Sequence, residues 1–69
     1  MSRPIHRHGK FIETEEGIWV RADAITEVTR ADDGSIYAEV GAPSGQRSFK
    51  VHGVEDAFDV LDAIKAALR

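Results

Sequence analysis

DDGSIYAEV, the stretch at residues 32–40, predicts the architecture of the whole chain. An Asp-Gly pair between alternating segments favours a two-residue β-hairpin loop, because the twist of that turn matches the twist of its strands. After the turn, Ile36, Ala38 and Val40 share one face of an extended segment. That face is expected to point inward, so the stretch predicts an antiparallel sheet with one buried side.

Similar segments lie on both sides of this turn. They are short and β-prone, most are separated by glycine-containing turns, and they occupy residues 10–14, 18–22, 25–30 and 46–51. Asp23 stands where the chain must bend, and Ile25 and Val28 fall on opposite faces of a regular strand. We therefore expect a bulge or bend near Ile25. A second turn is expected at residues 43–45, which combine proline and glycine.

An amphipathic helix is predicted after the last strand. It is expected to start at His52 or Gly53 without a capping side chain, and its core stripe would comprise Val54, Ala57, Phe58, Leu61, Ile64 and Leu68. A neighbouring flank widens the apolar arc to about 220°, more than one sheet face can cover. This flank consists of Val60, Ala63 and Ala67. We expect these three residues to contact another copy of the chain.

These segments predict an α+β fold: a small antiparallel β-meander of four or five strands with one C-terminal amphipathic helix packed on one face. The chain has 69 residues and no cysteine, which excludes disulfides and thiolate zinc sites. A core of this size rarely contributes more than about 3–5 kcal/mol of net stability. Association with a partner is therefore an expected source of further stabilisation.

Charge is distributed unevenly along the chain. Arg3, Arg7 and Lys10 are three of the nine basic residues, and no acidic residue accompanies them in the first ten. The remainder holds six basic and twelve acidic residues, a net charge of −6. We expect a basic N-terminal arm at residues 1–9, frayed in solution, and a single α+β domain at residues 10–69.

Patterns that carry catalytic chemistry are sparse. The sequence has no nucleophile-elbow motif and no His-Glu-x-x-His motif, and residues 41–45 lack the Gly-Lys-Ser/Thr of a phosphate-binding loop. His6, His8 and His52 could in principle ligate a metal, but their spacing is weak evidence. We expect no enzyme activity, no cofactor, no metal and no small-molecule substrate. No apolar run is long enough to span a membrane, and a cytoplasmic protein without a membrane partner is expected.

A recognition patch is predicted on the outer side of the sheet. Ile18, Val20 and Ala22 are expected to point inward, so Trp19 and Arg21 point outward. Exposed Trp and Arg are common among the residues that dominate protein interfaces. If the neighbouring strand lies close by, Tyr37 and Glu39 complete a partner-binding surface with Trp19 and Arg21.

The order of these segments resembles the small flagellar FlbD family. The resemblance rests on hydrophobic spacing over residues 10–68, including the Gly17-Ile18-Trp19-Val20 run and the Asp23-x-Ile25 bend. It implies the same succession of strands followed by a helix. The chain is also similar in style to small accessory proteins of bacteriophages of high-GC bacteria.

The sequence thus favours a non-catalytic protein–protein interaction module that self-associates or docks on a larger bacterial or phage–host assembly. The alternative is a small nucleic-acid-associated regulator. In that reading Arg3, Arg7 and Lys10 bind phosphates while Trp19 stacks on a base. The acidic body of the chain and its pI of about 5.5 favour the first interpretation.

Overall fold

Two antiparallel sheets and one helix form the fold in the computed structural model, which describes residues 4–42 and 45–69. The first sheet, sheet A, has the order β1 (Arg7–His8), β2 (Phe11–Glu15) and β3 (Ile18–Arg21). The second, sheet B, has the order β4 (Ile25–Arg30), β5 (Ile36–Ala42) and β6 (Gly45–Lys50). The helix α1 spans Ala57–Ala67. The α+β class is confirmed, but the described residues hold six strands, which form two sheets rather than one meander.

Five residues, 31–35, connect β4 to β5, and three of them lie inside the last hydrogen bond across the turn, so the prediction of a two-residue turn was wrong. The Ala31 N–H donates to the Ser35 carbonyl at 2.8 Å, and the Gly34 N–H donates to the Ala31 carbonyl at 2.9 Å. A two-residue Asp-Gly turn of type I′ requires positive φ at both central residues. Only glycine has positive φ in the described chain, with Gly34 at 89°, while Asp33 does not. A type I turn followed by a left-handed glycine results.

Asp33 stabilises this loop through its side chain. Its Oδ1 accepts a hydrogen bond from the Ser35 N–H at 2.9 Å. That bond favours the ionised carboxyl and is the main cause of its lowered pKa. Ala42 pairs with Gly45 in the neighbouring strand. The turn predicted at 43–45 includes Pro43 and Ser44, which lie outside the described residues.

Irregularities in both sheets change which side chains face inward. The expected bulge near Ile25 is confirmed by a register shift between Ile25 and Glu27, and a single 3₁₀ turn at Ala22–Ala24 makes the bend around Asp23. A second register shift lies between Glu13 and Glu15. It leaves Thr14 as the extra residue, buried and donating through Oγ1 to the Ile18 carbonyl at 3.3 Å.

Ile18 is 41% exposed, so its predicted buried position was wrong. It is the first residue of β3, where it pairs with Glu15 at the end of β2. Val20 and Ala22 are buried as expected.

The helix begins later than predicted. Asp56 is its N-cap, and the Asp56 Oδ1 accepts a hydrogen bond from the Phe58 N–H at 2.9 Å. The predicted start at His52 or Gly53 without a cap was therefore wrong. Val54 is nevertheless buried, because the segment before the helix also packs on the core.

One core joins the two sheets under the helix. Ile36, Ala38, Val51, Val54 and Val60 form its sheet B side, and Ile12, Ala22 and Ala67 form its sheet A side. Three isoleucines pack against both sides: Ile5, Ile25 and Ile64. The His52 N–H also donates to the Thr14 carbonyl at 2.7 Å, which ties the end of sheet B to β2.

The N-terminal segment belongs to this fold. Arg7 and His8 pair with β2, and the Glu13 N–H donates to the His6 carbonyl at 3.0 Å. Ile5 packs against the core, so the boundary predicted between an arm at 1–9 and a domain at 10–69 falls inside a β-hairpin. Arg3 lies outside the described residues.

Candidate binding surface

The outer side of sheet A presents two rows of paired residues, which we call the aromatic face. Phe11 pairs with both His8 and Arg21, and these three form one row. In the other row Glu13 pairs with Trp19 and lies opposite His6. Residues paired across antiparallel strands share a face of the sheet. The aromatic face thus consists of His6, His8, Phe11, Glu13, Trp19 and Arg21.

An open groove of about 440 Å³ runs along the aromatic face, lined by His6, Arg7, His8, Phe11 and Trp19. Phe11 is 43% exposed and Trp19 is 42% exposed. Both rings are thus partly supported by the sheet and partly available to a partner. Large apolar side chains that remain exposed together are typical of interaction surfaces.

The predicted partner-binding set is divided between the two sheets. Trp19 and Arg21 lie on β3 of sheet A, as expected for outward-facing residues. Tyr37 and Glu39 lie on β5, the central strand of sheet B. No β-sheet pairing in the described chain connects β3 to β5. The four residues therefore do not share one sheet, as the continuous patch required, and a binding role for them stays a prediction.

Glu39 has a structural environment on the outer side of sheet B. Its carboxylate accepts hydrogen bonds from the Thr29 hydroxyl at 3.3 Å and from the Ser48 hydroxyl. Tyr37 pairs with Thr29 on one side and Lys50 on the other. This half of the predicted patch is a polar, hydrogen-bonded surface rather than an apolar one.

Charges around the aromatic face are locally compensated. The Arg21 Nε lies 2.8 Å from the Asp23 Oδ1, an exposed ion pair that holds the guanidinium near its own chain. The Glu13 carboxylate accepts a hydrogen bond from the Gly17 N–H at 3.2 Å. What remains at the centre of the face is two aromatic rings and two imidazoles. This composition suits apolar contact with directional hydrogen bonds more than dense phosphate pairing.

The basic residues of the nucleic-acid alternative do not converge on a single described site. Arg7 lines a second groove of about 500 Å³ together with Asp59 and Asp62 of the helix. Arg7 thus shares this groove with two carboxylates. Lys10 is exposed in the turn between β1 and β2. In residues 4–42 and 45–69, no three His, Cys, Asp or Glu side chains are grouped as a metal site would need.

Most of the helical flank predicted to bind another copy is buried within the chain. Val60 and Ala67 belong to the core, so they cannot form the surface contact expected of them. Ala63 is half-buried: it packs against the sheet A side of the core and also lines an open groove. The outer apolar side chains are Phe58, Leu61 and Leu68, with exposures of 71%, 37% and 46%.

His6, His8 and Phe11 are the residues of the aromatic face that the sequence-based patch did not include. A His-x-His pair followed by the alternating Phe11-Ile12-Glu13 run was the available signal, since both patterns place side chains on one face of a strand. Assigning residues 1–9 to a frayed arm concealed this pairing.

Comparisons with known proteins add nothing to the description of this surface. No family model matches the chain, and neither a curated protein nor a solved structure gives a significant match. Within the part of the chain that the structure describes, no helix has the length and apolarity needed to cross a membrane.

Proposed function

We propose that this protein is a non-catalytic interaction module whose aromatic face binds a protein partner. The partner would insert apolar side chains beside Phe11 and Trp19 and accept hydrogen bonds from His6 or His8. The partner is proposed to belong to a larger bacterial or phage–host assembly in the cytoplasm, in line with the resemblance in segment order described above.

The observation that carries this proposal is the pair of half-exposed rings on one face of sheet A. Exposed aromatic side chains held by a rigid sheet lose little conformational entropy on binding, which makes them effective anchors. Phe11 and Trp19 are two of the six large apolar side chains that are exposed in the described part of the chain.

Affinity capture from the source cell tests the proposal when it is followed by reconstitution. Wild type and Trp19→Ala serve as baits, and a protein retained by wild type is purified and titrated calorimetrically. Loss of an aromatic anchor typically costs 2 kcal/mol or more. We therefore expect the Kd to rise at least about 30-fold for Trp19→Ala.

Tyr37→Ala is the matched control, because it removes an aromatic side chain from the outer side of sheet B. Its Kd should stay within about twofold of wild type, since surface changes away from the contact have small effects. A partner that loses affinity for Tyr37→Ala but not for Trp19→Ala would exclude the aromatic face as its binding site.

Nucleic-acid binding is the second candidate, favoured by the position of Arg7 and His8 beside the two rings in the groove. Stacking on Trp19 would change its fluorescence, and the affinity would fall steeply with salt as counterions are released. A titration with single-stranded DNA and RNA at low salt measures both effects. An unchanged Trp19 emission in both titrations would remove this candidate.

A further inference from the structure

We propose that the outer side of α1 pairs with α1 of a second copy in an antiparallel, two-fold arrangement. This surface is separate from the aromatic face, so the inference goes beyond the proposed function. It makes the module a homodimer with two aromatic faces. The surface comprises Phe58, Leu61, Lys65 and Leu68, which we call the helix seam.

The spacing of the helix seam is that of a paired helix. Its members follow one another at intervals of three, four and three residues, the a/d spacing of a two-helix interface. Phe58 is the most exposed large apolar side chain in the described chain, at 71%. The opposite side of the helix faces the sheets. It carries Val60, Ile64 and Ala67, which pack in the core.

Charge determines both the occupant and its direction. The N-terminal half of this segment carries Glu55, Asp56, Asp59 and Asp62, whereas the C-terminal part carries Lys65 and Arg69. An antiparallel pair brings the acidic half of each helix against the basic part of the other. It also aligns the two helix dipoles favourably. A second copy of this chain thus supplies the complementary charges that the seam requires.

The positions of individual residues follow from a two-fold axis near Ala63. Phe58 of one copy then lies opposite Leu68 of the other, and Leu61 lies opposite Lys65. The methylene stem of Lys65 can cover Leu61 while its ammonium group reaches Asp62. A parallel pair would instead set Lys65 against Lys65, which is repulsive. The antiparallel arrangement is therefore the one selected by charge.

Sedimentation equilibrium of the full chain tests the pairing over a micromolar to millimolar range. A helix of eleven residues is about 16 Å long, so the interface is small and a Kd in the micromolar range or weaker is expected. Phe58→Asp should raise that Kd at least about 30-fold. This variant keeps the helix, because an acidic residue in the first turn suits the helix dipole.

Two variants identify the orientation and separate it from the aromatic face. Lys65→Glu should weaken an antiparallel dimer, and adding Asp62→Lys should restore it, whereas a parallel dimer would be unaffected by Lys65→Glu. Phe11→Ser changes the aromatic face and should leave dimerisation unchanged. Conversely, the Phe58→Asp variant should still bind the protein partner of the aromatic face. A 7.6 kDa monomer at every concentration would overturn the proposal, as would a dimer insensitive to Phe58→Asp or to Lys65→Glu.

Discussion

Trp19 and Ile12 lie on opposite sides of sheet A, so their truncation should lower the free energy of unfolding by very different amounts. Trp19 is 42% exposed, whereas Ile12 is fully buried and belongs to the core. Trp19→Ala should cost under about 1 kcal/mol of unfolding free energy, as surface changes usually do. Ile12→Ala should cost about 2–5 kcal/mol, comparable with the whole net stability expected at this size. Urea denaturation measures both.

The opposite order of effects would contradict the assignment of faces in sheet A. A loss of about 3–5 kcal/mol for Trp19→Ala is the cost typical of a core aromatic, and it would make the ring a structural residue.

Asp33 should make the stability of the hairpin depend on pH. Its pKa is lowered from the ordinary value of 3.8, chiefly by the Ser35 N–H bond. A carboxyl with a lowered folded-state pKa contributes stability that is present above its unfolded pKa and lost as the pH falls through the folded pKa. Asp33→Ala should therefore lower the Tm at pH 7, and its difference from wild type should narrow as the pH falls below about 4.

Asp33→Asn is the control for this pH effect. The amide oxygen can still accept the Ser35 N–H, so part of the turn bond remains, but the residue no longer titrates. Its Tm difference from Asp33→Ala should therefore be nearly constant with pH. A wild-type Tm that stays parallel to that of Asp33→Ala from neutral to acidic pH would contradict the role given to this carboxylate.

The alternation of apolar and polar residues predicted the direction of most, but not all, strand side chains. Alternation correctly placed Ile36 and Ala38 in the core and Trp19 on the surface. It did not predict the exposure of Ile18, the first residue of β3, nor the bulge at Thr14 on the facing strand. A bulge depends on how two strands meet, and the local sequence around Thr14 carries no clear signal of it.

The N-terminal segment contributes to the core although its strand has only two residues. Ile5, just before β1, packs against both sides of the core. Ile5→Ala should lower the Tm and the free energy of unfolding by an amount typical of a partly buried aliphatic side chain, about 1–3 kcal/mol. His8→Ala, an exposed change in β1, should alter stability by less than about 0.5 kcal/mol. Thermal melts followed by circular dichroism compare the two.

Equal melting temperatures for wild type and Ile5→Ala would contradict the packing of Ile5 and would support a frayed N-terminal arm. Basic composition alone suggested that picture, because three cations without an acid resemble a solvated terminus. The pairing of residues 7 and 8 with β2 depends on a hairpin turn at Gly9 and Lys10. The sequence pattern instead places Gly9 at the end of the arm and Lys10 at the start of the first strand.

For the helix, the sequence pattern did not correctly predict its first residue or the side that faces the core. Asp56 is a favoured capping residue, yet the apolar Val54 before it suggested an earlier start. The apolar arc was correctly recognised as too wide for one sheet. Which part of that arc faces the core depends on how the helix crosses two sheets, and periodicity does not specify this.

At the scale of the whole molecule, one core holds two sheets whose outer faces differ in character. Sheet B presents hydroxyl and carboxylate groups around Glu39, while sheet A presents the aromatic face. The sequence predicted the α+β class and the position of Trp19. It could not predict that Trp19 and Tyr37 lie on separate sheets, because the bend at Ala22–Ala24 ends sheet A and begins sheet B.

Mapping amide chemical-shift changes by NMR while the purified partner is added tests the role of the aromatic face most directly. The chain is small enough for every amide of β1, β2 and β3 to be followed in one titration. The largest changes should fall on His6, His8, Phe11 and Trp19, including the Trp19 indole N–H, with little change around Tyr37 and Glu39. Changes concentrated on sheet B, with the Trp19 indole signal unmoved, would contradict a binding role for the aromatic face.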